Sequence, residues 1–169
     1  MKKITRYLLL PLLFAASFSA SALGLSDYAE NKVADVLFRN TAFSESSPAS
    51  YYVFLSSTAC SDSATGTELT GGSYARVGVT RATASWKGTH GTTTGASSGT
   101  NATISNAAAV TFPTATADWA TASHWGIIDS ASGAGNIIIC AALTANRTIT
   151  AGATASFAID ALTIQIDSN

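Results

Sequence analysis

Residues 136–143, Asn-Ile-Ile-Ile-Cys-Ala-Ala-Leu, form a nearly continuous apolar run, and how that run is read decides the fold. Eight residues are too few for an ordinary buried helix, and the β-branched content favours extended chain, so the segment reads as a strand at the centre of a sheet. Working outward, Thr148-Ile149-Thr150 leads into an Ala151-Gly152 turn, and Ser156 to Asp167 supplies one or two final strands. In that last segment Phe157, Ile159, Leu162, Ile164 and Ile166 form the core-facing set, with a switch of register near Asp160-Ala161 that is either a bulge or a turn. Upstream, His124 to Ile128 reads as a strand ended by Asp129-Ser130, and Ala107 to Phe112 as one ended by Pro113.

The same grammar continues toward the N-terminus. Tyr51 to Leu55 is a compact apolar strand, and Ser61 to Gly72 carries turn residues. Tyr74 to Thr80 alternates, with Ala75, Val77 and Val79 pointing inward and Tyr74, Arg76, Gly78 and Thr80 outward. Trp86 to Thr103 is rich in Gly, Ser and Thr and reads as an exposed loop or long hairpin tip. Short strands at short intervals predict a mainly β chain, an antiparallel β-sandwich of jelly-roll-like form spanning residues 45–169. No internal repeat is visible, which argues against a solenoid.

One helix precedes the strands. Residues 26–39, SDYAENKVADVLFR, place Ala29, Val33, Val36 and Leu37 at helical spacing, with Glu30, Lys32 and Asp35 on the other face. Ser26 is a plausible N-cap, and Asp27 suits the positive end of the helix dipole. Residues 23–44 are therefore expected to form this helix and a linker. Its apolar positions Val33, Val36, Leu37 and Phe38 are candidate assembly contacts, packing either on their own domain or on a neighbouring subunit.

The N-terminus reads as a signal peptide. Lys2, Lys3 and Arg6 precede an apolar run from Tyr7 to Phe18, and Ala20-Ser21-Ala22 supplies small residues for cleavage before Leu23. An apolar run of that length, containing Pro11, is too short to cross a hydrocarbon core of roughly 30 Å. After removal of residues 1–22 no membrane span is expected. The predicted location is secreted: periplasmic, cell-surface or extracellular, with a virion as the alternative.

Charge narrows the partners. Of nine basic residues three lie in residues 1–22, leaving six against ten acidic ones, a net charge of −4. Such a chain has no electrostatic reason to bind nucleic acid. Only 11% of the residues are charged, against roughly 25% in typical soluble domains. A neutral, hydroxyl-rich surface is poorly protected against self-association, which points to coverage in an assembly. The cysteines, Cys60 and Cys140, would be oxidised in an exported chain, so a disulfide is expected, with two separate buried thiols as the alternative.

Catalytic signatures are weak. Gly95-Ala96-Ser97-Ser98-Gly99 matches GxSxG, with Asp118 and His124 following in order, but a nucleophile elbow needs a strand before the serine and a helix after it. Neither is present in this Gly/Ser/Thr stretch. His90 and His124 lack the spacing of a metal site, and the carboxylates are scattered singly, without paired acids or a calcium loop. No enzyme, metal or other cofactor is expected. Trp86, with His90, marks a candidate ligand face where an aromatic ring would stack on a sugar, although Trp86, Trp119 and Trp125 also suit core or interface roles.

The segments LSDYAENKVADVLFRNTAF, TGTELTGGSYARVGVT and VTFPTATADWATASHWGIIDSASGAGNIIICAALTANRTITAGATASF resemble small tailed-bacteriophage virion proteins of the tail-fibre type. The resemblance covers nearly all of the chain after residue 22, with GGSYAR and FPTATADW carrying most of it. It implies an N-terminal helix followed by a β-sandwich, in a structural component rather than an enzyme. The signal segment and the cysteine pair depart from that group, and both fit a phage-like module moved to an exported setting. The expected function is thus a non-enzymatic structural subunit that associates with itself into an oligomer or filament, with a cell-surface or virion component as a further partner. The alternative is a monomeric surface adhesin or glycan-binding module.

Overall fold

The computed structural model describes residues 24–41, 49–89, 91–98 and 103–166. The signal segment 1–22, part of the linker after the helix, and His90 lie outside them.

The helix forms where the capping signals put it. α1 spans Asp27–Phe38, and the Ser26 hydroxyl accepts the amide of Ala29 at 3.2 Å, satisfying one of the donors a helix start leaves open. Ser26 also ties the helix to the rest of the chain. Its amide donates to the carbonyl of Ile138 at 3.1 Å, and its hydroxyl donates to that of Ile137. Ser26 and Ala29 are buried, whereas the helix beyond them is largely exposed.

The described strands pair antiparallel throughout. In chain order they are β1 (Ser50–Ser56), β2 (Val77–Thr80), β3 (Trp86–Lys87), β4 (Thr103–Asn106), β5 (Val110–Thr111), β6 (Ala122–Ile128), β7 (Ile137–Arg147), β8 (Ser156–Phe157) and β9 (Thr163–Gln165). They make a four-stranded sheet β2-β1-β6-β7, a three-stranded sheet β3-β4-β9 and a two-stranded sheet β5-β8. The chain is mainly β with a single described helix. One buried cluster joins the three sheets, including Val53 and Leu55 of β1, Trp125 and Ile127 of β6, Val110 of β5, Phe157 of β8 and Ile164 of β9.

The apolar run in residues 136–143 lies in a strand, β7, but an edge strand; β1 and β6 occupy the centre of the sheet. Its unbroken apolarity has another cause. Ile139, Ala141 and Leu143 face the main core, while Ile137 and Cys140 pack in a second cluster with Phe54 and Ile128 on the opposite face. A register shift pairs Ile127 with Ile139 but Ile128 with Ile137, so Ile138 is an extra residue in the ladder. Both faces are covered along this stretch, and strict alternation of polar and apolar residues is lost.

Three further expectations are corrected. The alternation predicted from Tyr74 to Thr80 holds only from Val77: Gly71, Gly72 and Ser73 all have positive φ, and strand geometry starts after this turn. Ala75 is consequently exposed, while Tyr74 packs on Phe112 and Trp119, the latter edge-on at 5.2 Å between ring centroids. Among the predicted core residues of the last segment, Phe157, Leu162 and Ile164 are buried, but Ile159 and Ile166 are exposed. The switch near Asp160 is a turn, with Asp160 at φ 64° and Ala161 donating to Ala158 at 3.1 Å; it resets the face that Ile159 presents. Finally, Ala107 to Phe112 yields only the two-residue β5, whereas Thr103, read as the end of a loop, begins the strand β4.

Candidate functional site

Two features stand out from the packed body: the outer face of α1 and a cleft between sheets. On α1, Val33 and Val36 are partly exposed, Leu37 is 68% exposed and Phe38 86%. The helix docks through Ser26 and Ala29 at its start, so these four candidate contacts lie together on the free half. Asp35 and Arg39 form an exposed i, i+4 pair at 3.3 Å near its end.

The cleft, of about 480 Å³, opens where the four-stranded and three-stranded sheets separate. Tyr51, Ile127, Ile138 and Ile139 line one wall, and Trp86, Ile104, Ile164 and Ile166 the other, with Leu25 at its edge. The loop after β3 closes over it, contributing Thr92, Thr93 and Gly95 to Ser97. That loop is pinned despite its composition: Gly88 donates to Thr92 at 2.9 Å, Gly91 to Gly88 at 2.8 Å and Ser98 to the Thr89 hydroxyl at 2.6 Å. The walls are overwhelmingly apolar, and two cations stand among the lining residues. The Arg81 guanidinium lies 4.9 Å from the Tyr51 ring centroid, and Lys87 meets Asp160 at 2.5 Å. Hydrogen bonds from Lys87 and Ser105 hold the Asp160 carboxyl below its ordinary value.

Trp86 is thus half-buried in this cleft, while His90, its predicted companion, lies outside the described residues. Trp119 and Trp125 are core residues. The GxSxG residues are not assembled into a site: Ser97 accepts from the Thr89 amide, Asp118 accepts from Ala151 at 2.7 Å, and His124 shares a hydrogen bond with Ser123 at 2.8 Å. Among the described residues no group of three His, Cys, Asp or Glu side chains is placed to hold a metal ion. Cys60 and Cys140 are joined in a disulfide, with Cα atoms 6.1 Å apart.

Sequence reasoning missed the cleft because its walls come from six strands and two loops that no local pattern connects. It equally missed that Arg76 and Glu68 form a largely buried ion pair at 2.7 Å. The one available signal for that pair was a lone arginine in an otherwise apolar strand pattern.

The family model for Podophage GP4 fiber I protein gp80 matches residues 24–165. The chain belongs to this family. No curated protein matches the chain. Membership of the gp80 fibre family agrees with the resemblance to phage fibre proteins and places the chain among structural phage proteins. No helix among the described residues is long and apolar enough to cross a membrane.

Proposed function

We propose that this gp80-family chain is a non-enzymatic structural subunit that associates with itself into an oligomer or filament. The observation that carries the reading is the exposed apolar half of α1, Val33, Val36, Leu37 and Phe38, on a chain with few surface charges. An apolar helix face left in water is a cost that association removes. Residues 23–44 act as the connecting element, and residues 45–169 as a β-sandwich body. The shared core between the four-stranded sheet and the two smaller sheets supports that description.

Residues 1–22 serve as a removable export signal in this reading. The family match starts at residue 24, one residue past the expected new N-terminus, which supports treating the preceding segment as an addition to the fibre module. The chain then works in the periplasm, at the cell surface or outside the cell, with the virion as the alternative that family membership favours.

Light scattering and negative-stain microscopy of residues 23–169 test the proposal. Rings or filaments that vanish in a Leu37→Ser, Phe38→Ser variant are expected. A uniform monomer at high concentration would instead favour a monomeric adhesin, with the Trp86 cleft as its ligand site.

A further inference from the structure

We infer that the cleft between the sheets receives the free end of α1 from a second copy of this chain, so that subunits join head to tail. The inference rests on the self-associating reading above and names its contact. Two unpartnered apolar features coexist on one molecule: a projecting end, Leu37 and Phe38, and a recess walled by Trp86, Ile104, Ile138 and Ile166. At about 480 Å³ the recess has the size of sites that enclose a bulky apolar group, roughly 300–1,000 Å³. An apolar helix end in an apolar groove is a recurrent mode of recognition.

The helix cannot supply its own cleft. Leu25 lies at the cleft edge, and Ser26 is fastened by two hydrogen bonds to the carbonyls of Ile137 and Ile138. From that anchor twelve helical residues carry Phe38 about 18 Å away, at 1.5 Å per residue. No residue of α1 itself lines the cleft. Charge does not oppose the match: Asp35 and Arg39 beside the projecting end pair with each other, and Lys87 at the cleft pairs with Asp160. A projection and a recess at different places on one surface make a heterologous contact, which propagates into rings or filaments rather than closing as a two-fold dimer.

Complementation tests this contact. The donor-defective variant is Leu37→Asp with Phe38→Asp, and the acceptor-defective variants are Ala96→Trp, which plugs the cleft from an exposed loop position, and Ile166→Asp at its rim. Sedimentation analysis of residues 23–169 should show wild type in large species and each variant as a monomer, with self-association weakened about 30-fold or more. Mixing donor-defective with acceptor-defective protein should give heterodimers and nothing larger, because one intact projection and one intact recess remain. Circular dichroism confirms that each variant is folded; if Ile166→Asp is not, Ala96→Trp alone carries that arm. If folded acceptor variants assemble like wild type, the cleft is not the receiver, although self-association stands. If the monomeric variants fail to pair on mixing, the head-to-tail contact is overturned. A wild-type monomer at all concentrations removes both this inference and the function it rests on.

Discussion

Arg76 holds Glu68 in a two-point grip, Nε to Oε1 at 2.8 Å and a terminal guanidinium nitrogen to Oε2 at 2.7 Å. Two further guanidinium hydrogens donate to the carbonyls of Ser130 at 2.8 Å and Gly133 at 2.9 Å. One side chain thereby fastens the segment before β2 to the turn between β6 and β7. The Arg76 side chain is only 5% exposed, so its charge is tolerable only because every donor direction on this side is answered.

Removing either partner should therefore be costly. Arg76→Met leaves the Glu68 carboxylate without its counter-charge and two carbonyls without donors, and is expected to cost about 3 kcal/mol. Glu68→Gln is expected to cost less, because Glu68 is more exposed. Urea denaturation measures both, and the double variant should lose less than the sum of the two.

Tyr74 gives the fold a limit at alkaline pH. Its hydroxyl accepts the Leu55 amide at 2.9 Å and donates to Glu68 at 3.1 Å, and burial pushes its ionisation well above the ordinary phenol value. The folded state holds this proton more tightly than the unfolded chain does. Stability is thus full below the unfolded phenol value of about 10 and falls as pH rises beyond it. A melting series from pH 8 to 11.5 should show the midpoint dropping above pH 10. Tyr74→Phe should flatten that limb while lowering stability at neutral pH, because the Glu68 and Leu55 partners are lost.

How much of this was legible in the sequence depended on whether the deciding forces were local. α1 was readable because Ser26, Asp27 and the spacing of Ala29 and Val33 act within two turns. β1 and β6 were readable as compact apolar runs. The edge position of β7 was not, because its second face is covered by Phe54, Ile128 and the Cys60–Cys140 bridge, partners far away in sequence. The inward turn of Tyr74 and Arg76 depends on the positive φ of Ser73, a conformation that residue type alone did not announce. As for the candidate site, the apolar helix positions that the structure leaves exposed were singled out in advance, but of the cleft only Trp86 was.

Gly126 marks where two strands and an aromatic ring meet. It stands opposite Phe54 in the β1–β6 ladder, and a Cβ there would lie 2.5 Å from the Phe54 ring and 2.8 Å from the Ile139 carbonyl oxygen. The ring is fully buried and the carbonyl belongs to the backbone, so neither gives way cheaply. Gly126→Ala is expected to destabilise by roughly 1–3 kcal/mol as an overpacked site. Phe54→Leu in the same chain should recover part of the loss, which a pair of denaturation curves would reveal.

The Cys60–Cys140 bridge links stability to the compartment in which the chain matures. It closes a span of 80 residues beside Phe54, Ile128 and Ile137, and a loop of that size corresponds to about 4 kcal/mol in the chain-entropy account. At roughly 2–4 °C per kcal/mol for a domain of this size, reduction should lower the melting midpoint by about 10 °C. Cys60→Ala with Cys140→Ala should melt near the reduced protein and be indifferent to reductant. The same bond reports on export, because thiols stay reduced in the cytosol and oxidise outside it. Protein recovered from its native setting should resist a thiol-reactive label until it is reduced and unfolded. Ready labelling without reduction would mean that the chain assembles in the cytoplasm, and would count against residues 1–22 as an export signal.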